Sequence, residues 1–393
     1  MKKALKPTSS TLLLLCLGYF IDFYDLTIMG VSYPELIREQ FGISTTIQIQ
    51  QTYLLISSFQ TVGMFIGAIL FGILGDKIGR ASAIKYSILL YSLSTLAAIF
   101  THSLPVFIAL RMLSYIGLAT EFSTSTILIL ESLPSKYAPW GTAILYSFGV
   151  LGGMTATSIG FISWQIMFLF GAIGGLLLYI GRSHIKESDS YLNISLENKE
   201  KLGSWRELLG HKQHLLKLCY FFLILVPYFA MISLMFIFPN YIIKTYTLSY
   251  ATKILLIGFF IGNIISSLLS GFFTQYQRLF IAISMLLFLA LMTTYYLIPE
   301  RALLAYSLGL GIVGGGYPIL WAQIATRSFP IYIRSLASNF LYALGRGSGL
   351  IFNSIVAIWL ATPSSFPVYS TILVSILFIL AMFAIIKIKP YTT

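Results

Sequence analysis

Twelve apolar runs, each long enough to cross a membrane, constrain this chain's fold more than any other feature. Spanning the ~30 Å hydrocarbon core of a bilayer takes roughly 20 residues of helix. Runs of that kind fall at about 11–31, 51–74, 82–101, 105–130, 140–161, 163–181, 215–239, 250–272, 279–298, 302–325, 336–360 and 365–387. Of the 393 residues, 57% are hydrophobic and 10% charged, whereas a soluble domain carries about 25% charged residues. A water-soluble interior of this size cannot hide so much apolar surface, so lipid is the expected solvent. The first run is not read as a cleaved signal peptide. It is too long, lacks an A-x-A site and contains Asp22 and Asp25.

The basic residues orient the spans. With the N-terminus cytoplasmic, nineteen of the 25 Lys and Arg fall on inner segments or inner span ends, from Lys2, Lys3 and Lys6 through Arg182 to Lys387 and Lys389. Four fall outside: Arg38, Lys244, Lys253 and Arg301. Arg111 and Arg346 lie within predicted spans. Segments rich in Lys and Arg stay cytoplasmic, so both termini are expected inside. The same distribution accounts for the net charge of +12 without a nucleic acid partner.

One hydrophilic stretch, at about 183–213, divides six spans from six. It contains Ser204-Trp205-Arg206-Glu207, a capping-box pattern, so a short amphipathic helix is expected there. The expected organisation is an N-terminal six-helix bundle over 1–182, a cytoplasmic linker over 183–213 and a C-terminal six-helix bundle over 214–393. The halves echo each other. Gly72-x-x-x-Asp76 returns as Gly271-x-x-x-Gln275 after 199 residues, and Glu131-Ser132-Leu133-Pro134 returns as Arg327-Ser328-Phe329-Pro330 after 196. Two cues at nearly one offset indicate a repeat of about half the chain. Parallel repeats are a known transporter plan, with the substrate site at mid-depth between them.

Cys16 and Cys219 lie in apolar runs and offer neither a disulfide framework nor a CxxC site. His102, His184, His211 and His214 show no zinc spacing. With no nucleophile–base motif either, the expectation is a protein that is not an enzyme and carries no cofactor and no metal.

Phe71-Gly72-Ile73-Leu74-Gly75-Asp76-Lys77-Ile78-Gly79-Arg80, between the second and third spans, carries the pattern G-x-x-x-D-x-x-G-R. On this motif, in this loop, the chain resembles the major facilitator superfamily. The resemblance implies an all-α integral membrane fold of twelve transmembrane helices in two six-helix pseudo-repeats, working as a secondary transporter. Gly18-Tyr19-Phe20-Ile21-Asp22-Phe23-Tyr24-Asp25 is similar to the first-span motif of the metabolite:proton symporters and to the D-G-Y-D of the aromatic-acid:proton symporters. Arg111, Glu121 and Glu131 resemble the charged positions of the former group's fourth span, with Ala119-Thr120 in place of its two glycines. Sugar porters fit less well, because no P-E-T-K-G follows the last span. Drug antiporters fit less well, because Gly149 stands where their fifth-span proline would be. An exporter of a drug-like or siderophore-like compound, or a sugar porter, is the alternative reading.

Asp22, Asp25, Arg111, Glu121 and Arg346 fall inside predicted spans. Each would cost roughly 2.5–3.5 kcal/mol unpaired at mid-bilayer, so they are expected to face protein or water and to pair. At about 1.5 Å of rise per residue, Arg111 comes level with Asp25. Asp22 and Asp25 share a helix face, so Arg111 is expected to touch one of them. A carboxylate beside a displaceable arginine suits proton coupling, since burial and the cation pull its proton affinity in opposite directions. The expected coupling set is Asp22, Asp25, Glu121 and Arg111. The alternative is a fixed ion-pair network that orients helices.

Arg346, between Gly345 and Gly347, is expected to hold a substrate carboxylate with its planar fork. Tyr317, Trp321, Gln323, Gln60 and Asn339 are candidate lining residues, with Tyr228, Asn263 and Asn353 beside them. Each taken alone reads more readily as helix-packing glue than as lining. The resemblance implies that Gly72, Asp76, Gly79 and Arg80 form a gating latch at the inner rim, which Glu131 and Arg334 are expected to join. The protein so expected is a proton-coupled symporter importing a small carboxylate-bearing metabolite. It is read as a monomer in a bacterial inner membrane, with its small-molecule substrate, protons and the lipid bilayer as partners.

Overall fold

A computed structural model of the chain describes residues 9–160, 162–194, 196–235, 248–294, 297–360 and 366–388. Lys2, Lys3, Lys6, Lys244 and Lys389 lie outside the described residues, as do the side chains of Lys253 and Asn353. Among the described residues every regular element is a helix. In lipid no water is present to take up backbone amides and carbonyls, and a helix bonds them all within itself.

The first half comprises α1 (Ser9–Phe41), α2 (Thr46–Lys77), α3 (Arg80–Phe100), α4 (Leu104–Leu118), α5 (Glu121–Ser132), α6 (Ala138–Ser158) and α7 (Trp164–Arg182). Three short helices follow: α8 (Asp189–Leu192), α9 (Leu196–Lys199) and α10 (Trp205–Gly210). The second half comprises α11 (Lys212–Met235), α12 (Leu248–Ser270), α13 (Gln277–Thr294), α14 (Leu303–Ser328), α15 (Arg334–Leu360) and α16 (Phe366–Lys387). With α4 and α5 as one interrupted span, these helices make up the twelve spans of the predicted all-α fold. Eight described helices are long and apolar enough to cross a membrane, and two shorter ones, Ile254–Ser270 and Gln277–Leu291, are apolar as well.

Three details depart from the hydropathy reading. The first span runs on to Phe41, about ten residues past its predicted end. Its polar tail stays helical because it is anchored: Gln40 donates to the Ala98 carbonyl at 2.9 Å, and Glu39 accepts from Trp164 Nε1 at 2.9 Å. The fourth span breaks at Ala119-Thr120, where the Thr120 and Thr124 hydroxyls bond each other at 2.6 Å. The linker holds three helical pieces where one was expected. Ser188 caps the first of them, and Gly203, at φ 63°, separates the last two. That last piece does begin right after Ser204, as the capping-box pattern predicts.

The spans are inside-out relative to soluble helices. In α2, Leu54, Leu55, Phe59, Val62, Ile66 and Leu70 are exposed, while Gln60, Gly63, Gly67 and Asp76 are buried. Lipid is as apolar as leucine, so small and polar residues gather on the faces where helices meet.

The chain divides into two compact units, Met1–Ser204 with Pro330–Ala343, and Trp205–Phe329 with Leu344–Thr393. In the first unit, a Cβ on Gly63 or Gly67 of α2 would run into the Met112 or Ile116 carbonyl of α4. In the second, a Cβ on Gly258 of α12 would lie 3.1 Å from the Leu308 amide of α14, and one on Gly262 2.7 Å from that of Ile312. The glycines recur 195 residues apart and their partners 196 apart. Each unit therefore contains the same helix pair in backbone-to-backbone contact, the small-xxx-small packing of membrane helices.

Candidate functional site

Among the described residues of the first unit, two buried ion pairs join different spans apart from the cluster around Asp76. In the first, Asp25 of α1 faces Arg111 of α4 at 3.6 Å, both without exposed surface. Of the two acids anticipated for Arg111, Asp22 and Asp25, the structure pairs it with Asp25. Its Oδ2 accepts from the hydroxyls of Thr95 at 3.1 Å and Ser114 at 3.2 Å. Arg111 donates to Thr95 Oγ1 at 3.3 Å and lies over the rings of Phe168 and Tyr115, 5.0 and 5.4 Å from their centroids. The guanidinium is thus held by rings and a hydroxyl as well as by the carboxylate, and the pair is loose.

The second pair is tight. Glu121, at the start of α5, meets Arg182, the last residue of α7, in a two-pronged contact whose Nη1–Oε2 arm is 2.8 Å. Arg182 Nη1 also donates to the Ile84 carbonyl of α3 at 3.0 Å. Counted among the inner cations by its place at a span end, Arg182 is in fact 1% exposed. Gly18 of α1 makes the space for it. A Cβ there would overlap the guanidinium and lie 2.7 Å from Glu121 Oε1. Asp22, also fully buried, lies one turn beyond Gly18 on α1.

The G-x-x-x-D-x-x-G-R loop between α2 and α3 forms a third cluster, whose chemistry is that of a helix terminus. Asp76 accepts the amides of Ser335 and Leu336, both at 2.9 Å, at the start of α15. A carboxylate there satisfies two orphan donors and complements the helix dipole. Gly72 permits the approach, since a Cβ on it would lie 2.9 Å from Leu336 Cα. Arg80 lies 3.6 Å from Asp76 and 3.4 Å from Glu131, and donates to the Ile331 carbonyl at 2.7 Å. Glu131 also receives Arg334 at 2.8 Å and the Ser188 hydroxyl at 2.6 Å. The motif residues, Glu131 and Arg334 are therefore brought together.

Sequence reasoning missed Glu187, which completes this cluster. Gly79 adopts φ 100°, and Glu187 Oε2 occupies the space its Cβ would need while accepting the Ala81 amide at 2.9 Å. Burial pushes the Glu187 carboxyl above its ordinary value, against the Ala81 and Ser188 amides and Arg80, which pull it down.

The candidate lining residues are distributed across both units. Gln60 and Asn339 are buried in the first, where Asn339 donates to Thr124 Oγ1 at 3.0 Å and to the Ser335 carbonyl at 2.9 Å. In the second, the Tyr317 hydroxyl donates to the Ile224 carbonyl, Trp321 Nε1 to that of Phe221 at 2.9 Å, and Gln277 to Gln323 at 2.7 Å. Tyr228 stacks on Tyr317 at 5.9 Å beside a small apolar cavity formed with Met285, Phe288 and Gly314. Arg346 is half-buried.

A multi-pass helical protein that buries ion pairs inside its spans and a charged cluster at one loop has the build of a membrane transporter rather than an enzyme. Residues 15–257 match the family described as Major Facilitator Superfamily, well over half the chain. The benzoate transport protein of Acinetobacter baylyi is 32% identical over 181 residues, 44% of this chain and 38% of that protein, so the match spans less than half of that relative's length. The cis,cis-muconate transport protein of the same organism is 24% identical over 351 residues, 84% of this chain and 82% of that one. The solved structure of the proton:xylose symporter XylE bound to 6-bromo-6-deoxy-D-glucose superposes with a TM-score of 0.73 at 16% identity, covering 97% of this chain and 95% of its own. At that identity the likeness is one of fold. The chain belongs to the Major Facilitator Superfamily.

Proposed function

We propose that this transporter is a proton-coupled symporter that imports a small carboxylate-bearing metabolite by alternating access. The observation that carries the reading is the loose Asp25–Arg111 pair, 3.6 Å apart and fully buried in a span. Two hydroxyls solvate Asp25 and two rings support Arg111, so each partner keeps some company when the other lets go. A proton on Asp25 or an anion at Arg111 would shift the balance of the pair. Asp22 and Glu121 complete the coupling set.

Two relatives, named for benzoate and cis,cis-muconate transport, support a carboxylate as solute. Arg346, with its planar fork between Gly345 and Gly347, is the residue we assign to that carboxylate. Tyr317, Trp321 and Gln323 of the second unit, and Gln60 and Asn339 of the first, are the further residues we assign to the solute. Gly72, Asp76, Gly79, Arg80, Glu131 and Arg334 form a gate that holds one state until the α15 terminus is released. The excess of basic residues on one side orients both termini to the cytoplasm of a bacterial inner membrane, and the transporter works as a monomer.

Uptake into reconstituted vesicles with an imposed pH gradient tests this directly. Benzoate or cis,cis-muconate should accumulate against its own gradient when the interior is alkaline, and collapse of the pH gradient should abolish it. Accumulation indifferent to pH, or accumulation of xylose in place of both acids, would overturn the proposal.

A further inference from the structure

Tyr91 of α3 is fully buried in the first unit, and its hydroxyl finds no hydrogen-bond partner among the described residues. A buried orphan hydroxyl is destabilising, so its presence calls for a reason. Its neighbours on α3 supply one. Ile84, Ile88, Tyr91 and Thr95 follow one another at steps of four, three and four, which places them on one helix face. At one end of that face the Ile84 carbonyl holds Arg182 of the tight pair. At the other, the Thr95 hydroxyl holds Asp25 of the loose pair. Tyr91 lies between them, and helical side chains lean back towards the helix N-terminus, here towards Ile84 and Arg182.

On α1, Gly18, Asp22 and Asp25 repeat the arrangement at steps of four and three. Gly18 abuts the tight pair, Asp25 belongs to the loose one, and Asp22 lies between. The charged groups acting on Tyr91 are Glu121 of α5, Arg182 of α7, and Asp22 and Asp25 of α1.

The ring is seated by two helices. A Cβ on Gly117 of α4 would lie 2.9 Å from Tyr91 Cβ, and one on Gly175 of α7 would lie 3.1 Å from Tyr91 Cε2. A phenol wedged this closely cannot turn away from the charges around it.

We infer that Tyr91 is the relay through which the coupling proton passes between the Asp25–Arg111 pair and the Glu121–Arg182 pair, with Asp22 as the intermediate carboxylate. This rests on the symport reading above. A phenol both donates and accepts. A proton arriving from one carboxylic acid binds the phenol oxygen as the phenol's own proton leaves for the next carboxylate. One carboxylic acid is deprotonated, one carboxylate is protonated, and the phenol ends neutral.

Tyr91→Phe keeps the ring in its slot and removes only the hydroxyl. Acid-minus-neutral infrared difference spectra of the whole protein in lipid nanodiscs, without solute, should contain a tyrosine band that disappears in Tyr91→Phe. In vesicles with benzoate as probe, pH-gradient-driven accumulation should slow roughly 100-fold or more, the scale of a lost proton-transfer group. Benzoate counterflow, which needs no net proton movement, should continue at the wild-type rate. No Tyr91-dependent band, full accumulation by the variant, or loss of counterflow or folding together with accumulation would each overturn the relay, the last by making Tyr91 a packing residue. If wild-type uptake ignores the pH gradient, the symport reading fails instead, while the infrared comparison still decides whether Tyr91 is coupled to the buried acids.

Discussion

Arg334 reaches Glu131 across 203 positions of sequence and donates to its Oε1 at 2.8 Å, fixing the start of α15 to the end of α5. Glu131 divides its other oxygen between the Ser188 hydroxyl and Arg80, so one carboxylate ties α3, α5, the linker and α15 together. Its loss leaves two guanidiniums without their shared counter-charge. Glu131→Gln should therefore raise the reactivity of cysteines placed on the 330–343 segment, as should Arg334→Ala. The double variant should add little to either single one, because both remove the same contact. Additive effects would show that the two residues act separately.

Asp76 offers a cleaner cut. Asparagine keeps the shape but exchanges one acceptor oxygen for a donor that opposes a helix amide. Hydrogen bonds to a charged group are worth about 1.5–3 kcal/mol each. Asp76→Asn should shift the resting population by at least that much towards the state in which the α15 terminus is free. Hydrogen exchange at Ser335 and Leu336 would report it, and unchanged protection would remove Asp76 from the gate.

For coupling, Asp25→Asn should abolish pH-gradient-driven accumulation while leaving solute exchange intact. Asp22→Asn and Glu121→Gln should do the same if all three acids lie on one proton path. Wild-type accumulation in all three variants would reduce the buried charges to a helix-orienting network.

Gly18→Ala tests the tight pair without touching a charge. The added Cβ enters space held by the Arg182 guanidinium and must push it from Glu121. The cost should be on the order of 3–5 kcal/mol, the range for breaking a buried ion pair. Thermal unfolding in detergent would show this as a lowered Tm, and an unchanged Tm would mean the pair adapts.

Glu187 yields a pH dependence outside the spans. Its carboxyl is raised above its ordinary value of 4.5 by burial, so the folded protein binds its proton more tightly than the unfolded chain does. Its contribution is therefore full below about 4.5 and falls as pH rises through the raised value. Protection of residues 183–194 from proteolysis should decline over that window and flatten in Glu187→Gln, which mimics the protonated form. A decline that survives the substitution would place the titrating group elsewhere.

The number of spans was legible because lipid demands long apolar runs. The charged cluster at the end of α2 was legible because Gly72, Asp76, Gly79 and Arg80 fall within nine consecutive positions. A contact of Arg111 with Asp22 or Asp25 was legible from helical rise and the shared helix face, and the structure picks Asp25. Arg182 was not legible by the same means. At the end of a span, in line with other inner cations, it reads as a surface anchor. The charge balance held the signal: Asp22, Asp25 and Glu121 in the first half were matched only by Arg111 within the spans, which called for a second buried cation. Gly18, one turn before Asp22, marked where it would fit. Tyr91 carried no such mark, because a tyrosine in an apolar run looks like any interfacial aromatic and its seat depends on glycines from two other helices.

The glycine pairs of α2 and α12 make the two halves alike in mechanics and unlike in chemistry. Where backbone rests on backbone, any side chain at those positions would push the helices apart, so neither half tolerates one there. The loop after α12 carries Gln275 at the position that corresponds to Asp76. A neutral amide there cannot offer a helix start the full charge that Asp76 offers α15, so the two halves share their hinges of bare backbone but not their clasp.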